Sequence, residues 1–141
     1  MNPPHDASAL CIFVIDDDQD TVDSFAMLLR QLGHTVHTAC RGAEAMEQIE
    51  ELHPDLVFLD LALPGMDGFE VAKHIRREPR LTETRIIALT GLSEAKHRQR
   101  AQYAGFDGYL VKPATLEQIK ASIDAVRQTL LSSGQSTHPS C

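Results

Sequence analysis

The chain has 141 residues, which suits one domain with a real hydrophobic core and leaves little room for a second. Its formal net charge of −7 argues against a nucleic-acid-binding surface, because neutralising phosphates requires clustered Lys and Arg side chains. No apolar run approaches the ~20 residues that cross a bilayer, and the N-terminus lacks a basic region followed by an apolar stretch, so no membrane span or signal peptide is expected.

Both ends of the chain are polar. Residues 1–9 are rich in Pro, and residues 131–141 consist largely of Ser, Thr, Gln and Gly. Such segments cannot bury enough apolar surface to become ordered, so we predict that both are flexible. Residues 10–130 remain as the single folded domain.

Between these ends, strand and helix patterns alternate five times, which indicates a parallel sheet covered by helices on both faces. Residues 10–15, 56–59 and 86–89 are continuous apolar runs, which are typical of strands buried on both sides. Residues 109–111 form a shorter run of the same kind. Residues 34–39 are mostly polar, so we expect them to form an edge strand.

Amphipathic periodicity predicts the helices between these strands. The first spans about residues 21–32 and the second about residues 43–52. The third opens at Asp67 and the fifth at Thr115, each with a capping box in which two side chains satisfy free backbone amides. The fourth, about residues 93–104, is strongly polar, which favours a mobile element over a firmly packed one.

The residues that end the predicted strands carry complementary chemistry. In a parallel sheet the carboxyl ends of all strands lie at one rim, where ligands bind. Asp16, Asp17 and Asp18 follow the first strand, Asp60 ends the third, Thr90 ends the fourth and Lys112 follows the fifth. One rim would therefore collect three or four carboxylates, one hydroxyl group and one ammonium group.

Carboxylates held ~4 Å apart repel by roughly 4 kcal/mol at an effective dielectric of ~20, so such a cluster must take up protons or a cation. Oxygen ligands without His or thiolate suit a hard ion such as Mg²⁺. Mg²⁺ and Lys112 would neutralise a phosphoryl group arriving in line with a carboxylate oxygen. Asp60 is then a candidate covalent nucleophile. Each residue alone has an ordinary structural explanation, and their coincidence at four strand ends favours a site.

Neither the cysteines nor the histidines form a recognisable ligand pattern. The three cysteines are odd in number and scattered, unlike a disulfide framework, and this is typical of a reducing cytosol. The seven histidines show no credible metal-ligand spacing, so we expect solvated surface side chains. We therefore expect a cytoplasmic protein with no direct membrane contact.

Four motifs together resemble the receiver domain of two-component response regulators. They are Phe-Val-Ile-Asp-Asp-Asp (13–18), Phe-Leu-Asp-Leu-Ala-Leu-Pro-Gly-Met-Asp-Gly (58–68), Ala-Leu-Thr-Gly (88–91) and Gly-Tyr-Leu-Val-Lys-Pro (108–113). They occur in family order and at family spacing, and the resemblance covers about residues 9–127. It implies a doubly wound (βα)5 flavodoxin-like α/β fold with a five-stranded parallel sheet of order 2-1-3-4-5.

The resemblance also implies a role for each residue at the rim. Asp60 is similar to the phosphorylated aspartate, and Lys112 to its cationic partner. Asp17 and Asp60 resemble direct Mg²⁺ ligands, and Asp16 resembles a ligand acting through water. The backbone carbonyl of Ala62 would supply a further ligand.

Signal output is implied by the same resemblance. Thr90 resembles the hydroxyl that moves to the phosphoryl group, and Tyr109 the aromatic switch that turns inward afterwards. The responding surface would be the fourth predicted helix, the fifth strand and the fifth predicted helix. The expected donor is a phosphohistidine on a cognate sensor histidine kinase or a histidine phosphotransfer protein. We expect a downstream protein target, possible homodimers, no direct nucleic-acid contact and no enzymatic activity beyond slow self-dephosphorylation.

Other interpretations remain open at this point. Asp18-x-Asp20-x-Val22 fits the nucleophile motif of haloacid-dehalogenase-like phosphohydrolases, although Asp18 lies two residues beyond the strand. A receiver-like interaction module that no longer accepts phosphate is the second alternative. The motifs also resemble the C-terminal receivers of hybrid sensor kinases, so the chain could be a free-standing regulator or part of such a kinase.

The positions two residues beyond Asp60 and Thr90 generate a kinetic prediction. In the family they tune hydrolysis, and here they are Ala62 and Leu92, neither of which can orient an attacking water. We predict that Ala62→Asn or Leu92→Glu shortens the phosphoryl lifetime by about tenfold or more. Decay of the phosphorylated protein after removal of the donor measures this lifetime, and unchanged decay in both variants would refute the idea.

Overall fold

A computed structural model describes residues 9–61, 63, 68–91 and 105–132, with the side chains of the last helix described to residue 128. The predicted fourth helix and Ala62 lie outside these residues, as do most of the two segments predicted to be flexible. No helix within the described part of the chain is both long and apolar enough to cross a membrane.

Five parallel strands form one sheet in the order β2-β1-β3-β4-β5. The strands are β1 (Cys11–Ile15), β2 (Thr35–Ala39), β3 (Leu56–Asp60), β4 (Arg85–Thr90) and β5 (Gly108–Val111). The predicted fold class and strand order are therefore confirmed, and the mostly polar β2 lies at an edge as expected. The central strands β1 and β3 are buried along their whole length, which explains their continuous apolar sequences.

Helices cover both faces of this sheet. The described helices are α1 (Gln19–Gln31), α2 (Gly42–Leu52), α3 (Gly68–Arg77) and α4 (Leu116–Ser132), with a short 3-10 turn at Pro79–Leu81. The helix α4 corresponds to the fifth predicted helix. Side chains of a strand alternate between faces, so Phe13 and Ile15 pack on the side of α2 and α3, whereas Ile12 and Val14 pack with α1 and α4.

The helix starts agree with their capping signals where these are described. Thr115 and Gln118 form the predicted reciprocal box: the Thr115 amide donates to Gln118 Oε1 at 2.9 Å, and the Gln118 amide donates to Thr115 Oγ1 at 3.1 Å. The helix α1 begins at Gln19, two residues earlier than predicted, with Asp18 at its N-cap position. Asp67 lies outside the described residues, so its predicted capping role stays a prediction.

The Arg76 side chain links α3 to the segments just before β4 and β5, a contact that the sequence did not predict. Its Nε donates to the Gly105 carbonyl at 2.9 Å, its NH1 to the Thr84 carbonyl at 2.7 Å and its NH2 to Asp107 Oδ2 at 2.6 Å. Asp107 Oδ2 also accepts the Ile86 amide at 2.8 Å. One guanidinium therefore fixes the starts of β4 and β5 relative to α3.

The cysteines depart from the sequence expectation. Cys11, on the buried strand β1, is disulfide-bonded. Cys40 is reduced, and its Sγ donates a hydrogen bond to Gln19 Oε1 at 3.0 Å. The expectation of reduced cysteines therefore does not hold for Cys11.

His34 also contradicts the expectation of solvated surface histidines. The residue is only 6% exposed, and its Nδ1 accepts the Leu10 amide at 3.0 Å. Burial, together with the nearby positive charge of Arg127, lowers the pKa of His34 from 6.5 to about 4. The burial of His34 was not predicted, because a polar residue at the start of an edge strand is usually exposed.

Because the folded state favours the neutral ring, the stability contributed by His34 is complete above pH 6.5 and is lost as the pH falls toward about 4. We expect protonation of His34 to lower the free energy of unfolding by about 2 kcal/mol between pH 7 and pH 4.5. Urea unfolding across this range should show the loss in the wild type and a smaller loss in His34→Gln. The exposed His74 on α3 provides a control, and equal losses in His34→Gln and His74→Gln would contradict the assignment.

Candidate functional site

The carboxyl ends of β1 and β3 bring three aspartates together. Ile15 and Leu59 are paired in the register of these neighbouring strands, and Asp16 and Asp60 are the next residues of each chain segment. Carboxylate oxygens of Asp16, Asp17 and Asp60 all lie within 4.8 Å of one another. The sequence prediction that these residues share one rim therefore agrees with the geometry.

The three carboxylates differ in their exposure to solvent. Asp16 is fully buried and Asp60 is 4% exposed, whereas Asp17 is exposed. Asp16 Oδ1 accepts the amide of Asp18 at 3.1 Å, which fixes the turn that leads into α1. The carboxylates of Asp16 and Asp60 are thus withdrawn from water, and that of Asp17 is in contact with it. Such an arrangement requires compensating positive charge.

Lys112 supplies part of this charge from the end of β5. Its Nζ lies 2.9 Å from Asp16 Oδ2 and 3.5 Å from Asp60 Oδ2. Its backbone amide donates to the Thr90 carbonyl at 2.6 Å, and the Lys112–Pro113 peptide is cis. Burial alone would lower the pKa of Lys112, but the hydrogen bond to Asp16 and the charges of Asp60 and Asp16 outweigh it and raise the pKa.

The remaining charge deficit fits a divalent cation. Three carboxylates against one ammonium group leave a net charge of −2 within this cluster. Its donors are oxygens from Asp16, Asp17 and Asp60, which is the chemistry that Mg²⁺ prefers. The fourth predicted ligand, the carbonyl of Ala62, lies outside the described residues. The donor set that is described therefore fits Mg²⁺.

Thr90 and Tyr109 lie on the neighbouring strands β4 and β5. Thr90 is 5% exposed, and the residue before it, Leu89, is the register partner of Asp60. Tyr109 is half-buried, is paired with Ala88 and packs against the apolar cluster on the side of α2 and α3. Ala88 belongs to that cluster too, so strand alternation places Thr90 on the same face as Tyr109.

Asp18 is held away from this cluster by its part in α1. It occupies the N-cap position, its side chain is exposed, and its Oδ2 accepts the hydroxyl of Thr21 at 2.6 Å. Within the described residues, the group of carboxylates that could hold a metal comprises Asp16, Asp17 and Asp60. Asp18 therefore lies at the start of α1 and outside the carboxylate cluster, a position that does not support a role as phosphohydrolase nucleophile.

Gly68 is a site residue whose importance the sequence analysis missed. A Cβ atom at this position would lie 2.5 Å from the Asp60 carbonyl oxygen and 2.8 Å from Leu61 Cα. The Gly68 amide also donates to the Leu61 carbonyl at 3.1 Å. The start of α3 thus rests directly on the backbone of Asp60, and only glycine permits that approach.

Comparison with known proteins gives a consistent assignment. A family model described as "Response regulator receiver domain" matches residues 12–124. The chain is 34% identical over 115 residues to the DNA-binding dual master transcriptional regulator RpaA of Synechocystis, covering 82% of this chain and 48% of RpaA. It is 39% identical over 102 residues to an uncharacterized 14.6 kDa protein of Leptolyngbya boryana, covering 72% of this chain and 78% of that protein.

Solved structures agree in fold. The chemotaxis protein CheY4 of Vibrio cholerae superposes with a TM-score of 0.79 at 28% identity, covering 82% of this chain and 97% of CheY4. The chain spans about half the length of most of the curated relatives that it matches, as with RpaA at 48%.

The contact of Gly68 with Asp60 leads to a test of site architecture. We expect Gly68→Ala to destabilise the protein by about 2–4 kcal/mol, because the added methyl group meets backbone that cannot rotate away. Gly91→Ala is the matched control, since a Cβ there has no neighbour within 4 Å, and its effect should stay within about 0.5 kcal/mol. Urea denaturation measures both, and equal stabilities would contradict the close approach.

Proposed function

This chain belongs to the response regulator receiver domain family, and we propose that its phospho-acceptor is Asp60, which receives the phosphoryl group of a phosphohistidine donor. The observation that carries this proposal is the position of Asp60: its carboxylate is buried at a strand end, beside Asp16, and 3.5 Å from the Lys112 ammonium. A carboxylate in this setting is oriented, and the cation beside it can meet incoming negative charge.

In the transfer step, an Asp60 carboxylate oxygen forms a bond to phosphorus as the bond between phosphorus and the donor imidazole nitrogen breaks. The electron pair of that bond stays on the imidazole, and the product is an acyl phosphate on Asp60. Lys112 holds Asp60 and Asp16 through ionic contacts before transfer, and its ammonium group can then follow the charge to the phosphoryl oxygens.

We propose that Asp16, Asp17 and Asp60 hold Mg²⁺, with the Ala62 carbonyl as a further ligand. When bound there, Mg²⁺ supplies positive charge against the phosphoryl oxygens. The carboxylate of Asp17 is exposed at the mouth of the cluster, so it can contribute a ligand without further burial of charge. Asp16 is fully buried and already bound to Lys112, which suits the indirect role predicted for it.

The response to phosphorylation would run through Thr90 and Tyr109. A phosphoryl group adds up to two negative charges and three strong acceptor oxygens. The Thr90 hydroxyl, on the strand beside Asp60, can move toward those oxygens, and Tyr109 on the same face of the sheet can follow into the space vacated. The surface that changes would include β5, α4 and residues 93–104. Of these, residues 93–104 lie outside the described part of the chain.

The proposed partners follow from this chemistry. A cognate sensor histidine kinase or a histidine phosphotransfer protein would donate the phosphoryl group, and a downstream protein target would recognise the changed surface, with a homodimer as one possible form. RpaA is named as a DNA-binding regulator, but the net charge of −7 argues against direct nucleic-acid contact by this chain. We propose that it acts in the cytoplasm as a switch without enzymatic turnover beyond slow self-dephosphorylation.

Substitution of the two candidate aspartates tests this function. Acetyl phosphate with Mg²⁺ should label the wild-type chain, and Asp60→Asn should reduce labelling to background because the amide is a poor nucleophile. Asp18→Asn should keep labelling close to the wild-type level, because Asp18 lies at the N-cap position of α1, outside the cluster. Intact mass spectrometry measures the incorporated phosphoryl group. Labelled Asp60→Asn would overturn the assignment, and an unlabelled wild type would point to a phosphorylation-independent module.

A further inference from the structure

Cys11 is disulfide-bonded, whereas Cys40, the other cysteine among the described residues, is reduced. The Cys40 thiol instead donates a hydrogen bond to Gln19 Oε1 at 3.0 Å. The chain has three cysteines, and the third, Cys141, lies outside the described residues. Within this chain, Cys141 is therefore the cysteine that remains as a partner for Cys11.

The register of β1 and β2 excludes a bond between Cys11 and Cys40 on independent grounds. Cys11 is paired with Thr35 at the amino-terminal end of the sheet, whereas Cys40 follows β2 at the carboxyl end. The strand rise places Thr35 and Cys40 about 17 Å apart. A disulfide requires Cα atoms within about 7 Å of each other, so the folded sheet keeps these two cysteines apart.

The backbone around Cys11 is fixed in the sheet. Its amide donates to Asp55 Oδ2 at 2.8 Å, and its carbonyl accepts the Asp55 amide at 2.8 Å. The residue is only 4% exposed. Because Cys11 is held in place by these contacts, the partner cysteine has to come to it at the amino-terminal end of the sheet.

The C-terminal half of α4 ends at this same end of the sheet. Ile123 and Val126 belong to one apolar cluster with Leu10, the residue just before β1. The helix therefore runs from the carboxyl end of the sheet to the amino-terminal end, where its last residue is Ser132. The nine residues that follow can span at most about 30 Å, whereas the layers packed on a sheet lie about 10 Å from it. This length is enough for the last residue of the chain to reach Cys11.

We propose that an intramolecular disulfide joins Cys11 to Cys141 and forms a redox-sensitive link between β1 and the C-terminal segment. A low-molecular-weight disulfide such as glutathione disulfide is the oxidant. Its S–S bond breaks as the protein S–S bond forms, and the two protein thiol protons end on the two thiols that it releases. Disulfides in a reducing cytoplasm are usually transient and redox-sensing, so the link responds to the redox state. This inference does not depend on the proposed function of Asp60.

Peptide mapping of the full chain tests the pairing. The chain is oxidised with glutathione disulfide, its free thiols are blocked with N-ethylmaleimide, and it is digested with trypsin without reductant. Cleavage after Arg30, Arg41 and Arg127 places the three cysteines on three different peptides. Mass spectrometry should find the first and last of these peptides joined, with the maleimide on Cys40. A link from Cys11 to Cys40, a disulfide-linked dimer, glutathione retained on Cys11 or three blocked cysteines would each overturn the proposal.

Urea unfolding with and without dithiothreitol provides a second measurement. Reduction should lower the wild-type midpoint by roughly 1–2 M, because a disulfide that closes a long loop restricts the unfolded chain. Cys141→Ser should have the low midpoint under both conditions, and the matched control Cys40→Ser should keep the full response to reduction. Cys141 is chosen for substitution because Cys11 is buried and replacing it would itself disturb packing. A wild type that does not respond to reduction, or a Cys141→Ser variant that does, would contradict the link.

Discussion

The contact of Lys112 with Asp16 and Asp60 is the interaction on which the rest of the site depends. Its ammonium group lies 2.9 Å from one buried carboxylate and 3.5 Å from the other. Without that cation, two carboxylates withdrawn from water would face each other and the exposed Asp17 with no compensating charge. With it, the cluster still carries a net negative charge, which fits a divalent cation and keeps the lysine close to the proposed phospho-acceptor Asp60. In the proposed function, the same contact stabilises the resting site and prepares it for added negative charge.

The fold maintains this contact through features far from the charges themselves. Two apolar layers hold β1 and β3 in register, so their terminal aspartates meet. Gly68 lets α3 rest on the Asp60 backbone, and Arg76 fixes the starts of β4 and β5. The strand that Lys112 follows is packed differently: all residues of β5 are only partly buried, whereas β1 and β3 are fully buried. A firmly packed β3, separated by β4 from a less firmly packed edge strand, favours movement at the edge.

The two ends of the sheet hold different buried polar groups. The carboxyl end gathers aspartates that require compensating cations, whereas at the amino-terminal end the buried His34 and Asp55 each accept a backbone amide hydrogen bond. Strands of five residues separate the two ends by about 17 Å. At that separation water and salt screen direct interaction between the exposed charges, since the Debye length is about 8 Å at physiological ionic strength. Any influence of one end on the other must pass through the packing of α1 and α4 against the sheet.

The sequence by itself determined the fold class and the group of aspartates with Lys112 at the rim, and the resemblance of its four motifs to the receiver family implied the strand order. The first two features depend on local patterns, namely apolar runs, caps and the residue that ends each strand, and a parallel sheet converts them directly into position. Tertiary structure alone decided the burial of His34, the hydrogen bonds of the Arg76 guanidinium and the need for glycine at position 68. Each of these depends on the distance between segments remote in sequence. Residue type and spacing along the chain do not encode that distance, because it is set only when the helices pack on the sheet.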